Sequence, residues 1–245
     1  TALAQAAERW SERDALVIPH QGVRWTWSQL LQRAAGVAAG LLALGLQPGD
    51  RVGIWAPNCA EWTLMQFATA RAGLILVNIN PAYRASELAY AINKVACTAL
   101  VMAPALKTSN CIDILRSLAP ELDSSSPGEL LADQLPHLRW VVRLGDEATP
   151  GMLGWRTMVD SGIGHVADLP PAGALHAGVD LPGHFSGARV GGFGTTQHIR
   201  TKQNRPQWRA QVTFLLFVET CSSNGCIKAA NRLQSGGLML EDIDP

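Results

Sequence analysis

Strand-like and helix-like segments alternate through roughly the first two thirds of this sequence. The segments Arg51 to Ala56 and Leu74 to Ile79 are apolar at nearly every position, so both faces of these strands need to be covered. Strands of this kind are typical of parallel sheets with helices packed on both sides. The sequence therefore predicts an α/β fold with a layered, mostly parallel sheet and flanking helices.

Capping and turn residues give approximate bounds for these elements. Helices are predicted over Leu3 to Trp10, over residues 27 to 44 approximately, from the stop at Pro57-Asn58 as far as Gly73, from Ser86 to roughly Val95, and from Thr108 or Ser109 to Leu118. The predicted strands are Ala15 to Ile18, Val23 to Trp25, Arg51 to Ala56, Leu74 to Ile79, Thr98 to Met102 and Leu138 to Leu144. The first two strands form a hairpin. Thr26 with Gln29, and Asn58 with Glu61, have capping-box spacing, and Ser86 is the expected cap of the fourth helix.

The composition limits the partners of the chain. Twenty basic residues balance twenty acidic ones, so the net charge creates no long-range electrostatic attraction to nucleic acid. The apolar stretches Val37 to Leu46 and Gly73 to Ile79 are shorter than the roughly 20 residues that cross a bilayer. No transmembrane segment and no secretion signal are therefore predicted, and a cytoplasmic location is expected. Because the chain opens at Thr1 rather than Met, we also expect its natural N-terminus to lie upstream.

The five cysteines predict buried thiols rather than disulfides or a metal site. They are Cys59, Cys97, Cys111, Cys221 and Cys226. Their number is odd and their neighbours are apolar, and the last two have no second Cys or His pair nearby at zinc-ligand spacing. No metal ligand is assigned.

The sequence changes character near Pro170. The Ser124–Gly128 stretch predicts a surface loop within the layered part, but glycine and proline crowd the sequence after residue 170, and only Val212 to Val218 has a strong strand pattern. We therefore divide the chain into an N-terminal subdomain, 1–169, and a poorly patterned tail, 170–245. A shifted reading frame, a mispredicted exon or a truncation would produce such a tail, and sequencing gene and transcript across the codons for residues 160–180 tests that hypothesis.

Several short motifs together resemble the first subdomain of AMP-forming acyl-CoA synthetases. They are Thr26-Trp27-Ser28-Gln29-Leu30, Ala39-Gly40-Leu41, Leu44-Gly45-Leu46, Pro48-Gly49-Asp50-Arg51-Val52, Trp55-Ala56-Pro57-Asn58 and Glu61-Trp62. The segments Asn78 to Arg84, Glu87-Leu88, Tyr90 and Leu135 to Arg139 resemble the medium- and long-chain fatty-acyl branch in particular. The resemblance covers residues 1 to about 165.

This resemblance implies a fatty acid as substrate, with ATP, magnesium and coenzyme A. The family forms an acyl-adenylate and then transfers the acyl group to the thiol of coenzyme A. Its phosphate loop is rich in Ser, Thr and Gly and ends in Pro-Lys-Gly. Here only Gly191 to Gln197 stands near the expected place, without that ending and with Lys202 as the nearest lysine, so a flexible glycine turn is the simpler interpretation. The later AMP-binding motifs and the C-terminal lid domain are not found in the sequence, so none of these cofactors is supported by the chain's own motifs.

Individual residues add no catalytic assignment. Glu61 is interpreted as a capping residue, and His20 and His137 as solvated or hydrogen-bonded side chains, because no Ser/Asp partner accompanies them. The tryptophans Trp10, Trp25, Trp27, Trp55 and Trp62 are expected in the core. No catalytic residue is therefore assigned, and the cofactor-binding residues stay unknown. The loop Asn80 to Arg84 is noted only because loops that follow strands often bind ligands.

Three functions are compatible with the alternating pattern. The first is a fatty-acyl-CoA ligase whose chain is a fragment, inactive alone. The second is a non-catalytic pseudoenzyme or interaction module, and self-association through an exposed subdomain face is expected in either case. The third, a dinucleotide-binding domain, is disfavoured because no Gly-x-Gly-x-x-Gly follows an early strand.

Overall fold

The computed structural model describes residues 2–169. Its helices are α1 Ala2–Trp10, α2 Trp27–Ala43, α3 Ala60–Ala72, α4 Ala85–Lys94, α5 Cys111–Leu118 and α6 Trp155–Ser161. Its strands are β1 Asp14–Ile18, β2 Val23–Thr26, β3 Arg51–Trp55, β4 Ile75–Asn78, β5 Ala99–Met102, β6 Ala105–Leu106, β7 Ser109–Asn110, β8 Trp140–Arg143 and β9 Leu153–Gly154. Short 3-10 helices span Pro19–Gln21, Leu122–Ser124 and Ile163–Asp168.

The core of the subdomain is a five-stranded sheet in the order β4-β3-β5-β8-β9, and all of its pairings are parallel. Strand β3 is the first of them in the chain, and it pairs with β4 on one side and β5 on the other. The point between β3 and β5, where the chain changes direction across the sheet, is the topological switch point. The mostly parallel sheet predicted from the sequence is confirmed.

Helices cover both faces of this sheet. Ala99 and Val101 of β5 belong to a core cluster that includes residues of α2 and α3. Leu100 and Met102 of the same strand belong to a second cluster that includes residues of α4 and α5. Neighbouring side chains of a strand point to opposite faces, which explains why the strands are apolar at consecutive positions. Among the described helices, none is long and apolar enough to cross a bilayer.

The hairpin and the second helix follow the sequence prediction. Strands β1 and β2 pair antiparallel, and Gly22 has a positive φ of 64° in the turn between them. Thr26 then caps α2: its hydroxyl accepts the Gln29 N–H at 3.3 Å, and the Gln29 side chain accepts the Thr26 N–H at 3.1 Å. These bonds connect residues three positions apart, so the local sequence contains the whole motif.

Three predicted helix starts are wrong. Asn58 does not cap α3, whose first residue follows Cys59; Gln21 of the hairpin accepts the Ala60 N–H instead. Helix α4 begins one residue before Ser86, and Glu87 closes its first turn by accepting the Arg84 N–H at 3.0 Å.

The third wrong start concerns α5. Thr108 and Ser109 do not begin it, because Ser109 pairs with Leu106 in the short antiparallel hairpin β6–β7. Asn110 is the cap, and its side-chain oxygen accepts the Ile112 and Asp113 N–H groups at 3.1 and 3.3 Å. Strand β9, helix α6 and the 3-10 helix Ile163–Asp168 were not predicted, since each is too short for a periodic pattern.

Helix α6 packs against α2 through a contact that only glycine permits. A Cβ atom on Gly40 would lie 2.4 Å from the Met158 carbonyl oxygen, and one on Gly162 would lie 2.2 Å from the Gly40 nitrogen. Both positions therefore need glycine for the close approach of two backbones rather than for an unusual φ. This contact fixes α6 onto α2.

Candidate functional site

The carboxyl edge of the sheet is the candidate functional site. In open α/β sheets, ligands bind outside the carboxyl ends of the strands, near the switch point. In this protein, the segments that follow β3, β4, β5 and β8 meet at that edge. The side chains of these segments, and those at the start of α6 after β9, determine what the edge can bind.

The segment after β3 leads into the N-terminus of α3, which is already occupied. Gln21 accepts the Ala60 N–H at 2.7 Å and donates through its side-chain nitrogen to the Glu61 carboxylate at 3.0 Å. Glu61 is therefore engaged in holding the hairpin turn against α3. The capping role predicted for Glu61 with Asn58 is wrong, because its carboxylate accepts from Gln21 instead.

The segment after β4 contains the Asn80–Arg84 loop. Asn80 shapes it, because its side-chain oxygen accepts the Ala82 N–H at 3.0 Å and its carbonyl oxygen accepts the Tyr83 N–H at 3.0 Å. These bonds leave the Arg84 side chain exposed at the start of α4. Two hydrogen bonds within the loop define its turn, and Arg84 is its charged group.

The segment after β5 is the hairpin β6–β7. Its tip residue Lys107 has a φ of 51°, which is the left-handed region that glycine favours. The Lys107 side chain is exposed. Asn110 ends the hairpin and caps α5, so the hairpin occupies only a few residues between β5 and α5. Lys107 thus lies at the tip of a compact excursion beside the switch point.

Strand β8 ends at Arg143, which is 5% exposed. Its Nη2 donates to the Glu147 carboxylate at 2.5 Å and its Nη1 donates to the Leu144 carbonyl at 3.4 Å. Its Nε is buried and has no hydrogen-bond partner within residues 2–169. Because Glu147 is almost fully exposed, this pair joins the buried end of β8 to the surface.

Arg51, in contrast, lies at the amino edge and is structural. Its guanidinium donates to the carbonyl oxygens of Val95 at 2.8 Å, Ala96 at 3.0 Å and Gly49 at 3.1 Å. The motif Pro48 to Val52 therefore secures the end of α4 to the start of β3. Its place on the opposite edge of the sheet separates it from the candidate site.

Burial suppresses thiol chemistry in the described part. It raises the pKa of the Cys59 thiol to about 12 and that of the Cys97 thiol to about 12, and it also raises the pKa of the Cys111 thiol. Within residues 2–169, no three His, Cys, Asp or Glu side chains gather as metal ligands. Cys221 and Cys226 lie outside the described residues.

The remaining predicted residues are distributed without a catalytic grouping. Trp55 is 1% exposed and Trp27 is 8% exposed, so both are core residues. Trp10, Trp25 and Trp62 are half-buried and pack against the same core cluster as Trp27. His20 and His137 are exposed, as the sequence interpretation expected.

Sequence reasoning missed the roles of Gln21, Arg84 and Lys107. The contact of Gln21 joins residues far apart in the chain and leaves no local signal. Arg84 is an unusual residue for a helix N-cap, but this becomes visible only when the start of α4 is placed correctly. Lys107 lies in a two-residue turn whose preference for glycine or asparagine the sequence does not satisfy.

The described residues do not form a complete ATP site. The segment Gly191–Gln197 and Lys202, the only candidates for a phosphate loop, lie outside the described residues. At the carboxyl edge within residues 2–169, the exposed cations are Arg84 after β4, Lys107 after β5 and Arg156 after β9, and Arg143 is buried. Arg156 lies 3.7 Å from the Asp146 carboxylate. Such a set can contact an anion but cannot surround a triphosphate with backbone N–H groups.

The sequence model of the family "AMP-binding enzyme" matches residues 3–151. The medium-chain acyl-CoA ligase ACSF2, mitochondrial, of Pongo abelii is 47% identical over 151 residues, which are 62% of this chain and 24% of the relative. The chain thus spans about a quarter of the length of this relative.

Solved structures agree with the fold. The anthranilate CoA ligase AuaEII in complex with anthranoyl-AMP gives a TM-score of 0.55 at 21% identity, over 65% of this chain and 27% of that one. The acetoacetyl-CoA synthetase from Streptomyces lividans gives 0.53 at 25% identity, over 64% and 24%. Because the family match covers more than half of the sequence, the chain belongs to the AMP-binding enzyme family, and its relatives are medium-chain acyl-CoA ligases.

Proposed function

We propose that the chain is the N-terminal part of an AMP-forming fatty-acyl-CoA ligase. Such an enzyme uses ATP to convert a fatty acid into an acyl-adenylate and then transfers the acyl group to coenzyme A. The observation that carries this proposal is the 47% identity to a medium-chain acyl-CoA ligase over 151 residues. The parallel sheet shared with CoA ligase structures supports it at the level of fold.

We propose further that residues 1–245 alone give little or no turnover. Within residues 2–169, Arg51 secures the fold, Arg143 pairs with Glu147, and the exposed side chains of Arg84 and Lys107 form no ion pair. The His165 imidazole lies 3.2 Å from the Asp168 carboxylate, but both side chains are exposed and no hydrogen bond within residues 2–169 joins this pair to a nucleophile. The role of this subdomain is then to form one wall of a larger active site.

Pyrophosphate release tests the turnover of the chain. The purified chain is incubated with ATP, magnesium and a series of fatty acids of increasing length, beside a no-enzyme blank. We expect release equal to the blank. Release well above the blank would show that the chain completes adenylation, and its dependence on chain length would identify the substrate.

A chimaera tests the family activity separately. Residues 1–169 replace the corresponding part of the Pongo abelii relative, whose remaining length supplies the rest of the enzyme. We expect acyl-CoA formation by the chimaera and none by the same chimaera lacking residues 1–169. A soluble, folded chimaera without activity would instead support the second candidate, a non-catalytic module, which the lack of a catalytic grouping in residues 2–169 favours.

Self-association and a cytoplasmic location remain proposals. Ile163 is 68% exposed and Val166 is 40% exposed on the last described turn, which supports association through an apolar face. Light scattering tests it, and a strictly monomeric chain would contradict it. Fractionation of cells tests the location, with a mitochondrial compartment as the alternative outcome, since the ACSF2 relatives carry that word in their names.

A further inference from the structure

The outward face of α4 carries a large aromatic side chain that the fold leaves uncovered. The buried residues of this helix are Leu88, Ala91 and Ile92, and they hold it on the sheet. On the opposite side of the helix, the Tyr90 side chain is 51% exposed. A single exposed aromatic residue needs no explanation by itself, so the residues around Tyr90 decide what this face can do.

Two opposite charges flank Tyr90 on this face. Glu87 precedes it by three positions and Lys94 follows it by four, and residues at these spacings lie on the same side of a helix. Both side chains are exposed, and neither makes an ion pair within residues 2–169. They do not reach each other, because seven positions correspond to about 10 Å along the helix axis.

The Glu87 carboxylate retains the capacity for a further partner. One of its oxygens, Oε2, accepts the Arg84 N–H at 3.0 Å and closes the first turn of α4. A carboxylate has two oxygens and accepts several hydrogen bonds, so the capping role does not exclude a second contact. The face thus presents a negative end, an aromatic centre and a positive end.

This arrangement is complementary to itself. A two-fold axis through Tyr90, perpendicular to α4, places a second α4 antiparallel to the first. Glu87 of each copy then lies opposite Lys94 of the other copy, and the two Tyr90 rings meet at the axis. A patch that matches itself in this way is what a two-fold symmetric interface requires, and an aromatic centre with a charged rim is typical of such interfaces.

A neighbouring loop adds apolar surface at one end of this face. The Asn93 side chain of α4 donates to the Gln134 carbonyl oxygen at 2.8 Å, which binds the loop to the last turn of the helix. Leu131, three positions before Gln134, is 71% exposed, although the residues on either side of it are buried. The apolar area available for contact is therefore larger than Tyr90 alone.

We propose that the outward face of α4, formed by Glu87, Tyr90 and Lys94, is an interface at which a second copy of this chain binds antiparallel to the first. This inference does not depend on ligase activity. It also uses a different surface from Ile163 and Val166, whose turn precedes Leu169 of the core cluster on the other face of the sheet. One helix face covers less area than the roughly 800 Å² per partner of a standard interface, so we expect a weak dimer that salt weakens further.

Sedimentation velocity of the whole 245-residue chain, at concentrations up to about 0.5 mM, measures this dimer. We expect Tyr90→Ala to weaken dimerisation about fivefold to tenfold. Lys94→Glu should weaken it roughly tenfold or more, because two attractive pairs become two repulsive ones. The matched control is Arg13→Glu, which makes the same change of charge at an exposed residue after α1, on the other face of the sheet, and should leave dimerisation unchanged.

Mixing two charge variants tests the antiparallel pairing itself. Glu87→Lys and Lys94→Glu each bring like charges together in a homodimer, whereas in a heterodimer every charge faces its opposite. We therefore expect each variant alone to dimerise more weakly than the parent chain and the equimolar mixture to dimerise about as strongly as the parent. Because Glu87→Lys removes a capping carboxylate, its fold is checked by circular dichroism; if it does not fold, Lys94→Glu and Tyr90→Ala still decide the question.

Several results would overturn the proposal. They are a parent chain that stays monomeric at about 0.5 mM, unchanged dimerisation in Lys94→Glu and Tyr90→Ala, an equal loss in Arg13→Glu, and two folded charge variants that do not associate when mixed. Loss of the dimer in Ile163→Ser, with the α4 variants unaffected, would assign the association to the other face of the sheet instead. The pyrophosphate assay does not enter this test, because association is measured without substrates.

Discussion

Glycine-to-alanine changes at Gly36 and Gly40 should separate the effect of helix propensity on stability from the effect of the backbone contact between α2 and α6. Gly36 and Gly40 both lie inside α2, one turn apart. Replacing a glycine inside a helix with alanine stabilises it by roughly 0.5–1 kcal/mol. At Gly36 the new Cβ would lie 3.9 Å from Val159 Cγ1, an ordinary contact, so Gly36→Ala should gain this amount.

At Gly40 the same change meets the backbone of α6. The Cβ would lie 2.4 Å from the Met158 carbonyl oxygen, 3.1 Å from its carbon and 3.3 Å from Val159 Cα. Backbone atoms cannot rotate away, so α6 must move by about 1 Å, and overpacking of this kind costs roughly 1–3 kcal/mol. After subtracting the gain in propensity, we expect Gly40→Ala to destabilise the fold by about 1–2 kcal/mol.

Urea unfolding followed by far-UV circular dichroism measures both variants against the parent chain. The midpoints should move in opposite directions, and the free energies of unfolding of the two variants should differ by roughly 1.5–3 kcal/mol. Gly162→Ala, whose Cβ would lie 2.2 Å from the Gly40 nitrogen, should resemble Gly40→Ala. If Gly40→Ala proves as stable as Gly36→Ala, α6 does not pack on α2 as described and the reasoning is refuted.

Two further substitutions and one labelling experiment test other parts of the structure. Gln21→Ala removes both bonds to the start of α3 and should cost about 1 kcal/mol by urea unfolding, whereas Gln32→Ala, which alters an exposed side chain, should cost nearly nothing. Arg51→Ala removes three charged hydrogen bonds to carbonyl oxygens and should cost about 2 kcal/mol or more; an unchanged midpoint would contradict its structural role. Burial raises the pKa of the Cys59 and Cys97 thiols from 9.0 to about 12. Folding therefore keeps these thiols protonated, and the stability that this provides is complete below about pH 9 and is lost as the pH rises towards 12. Peptide mapping after iodoacetamide treatment at pH 8 should find neither thiol modified until urea is added, and rapid labelling without urea would show that they are not buried.

The sequence predicts those features whose causes lie within a few residues. The capping box of Thr26 and Gln29 and the apolar strands of the sheet are examples, since neighbouring positions determine them. The start of α3 was placed wrongly because its cap comes from Gln21, which is 39 positions before Ala60. Sequence patterns do not record such tertiary contacts.

The sequence predicts where the candidate site lies but does not identify its charged residues. Loops at the carboxyl ends of parallel strands follow from the order of helices and strands, and the Asn80–Arg84 loop was noted on that ground. Arg84 and Lys107 stand out only through their backbone positions, one at a helix N-cap and the other at a positive φ. Both are conformational facts, and the residue type alone does not reveal them.

The glycine contact between α2 and α6 also orders events during protein synthesis. Helix α2 leaves the ribosome early, but the surface around Gly40 stays uncovered until α6 and Gly162 have emerged as well. Ala39 and Leu41, which are both fully buried in the finished subdomain, belong to the same stretch of α2. A nascent chain that stalls before α6 and Gly162 have emerged would therefore present part of its core to chaperones, and their emergence would release it from them.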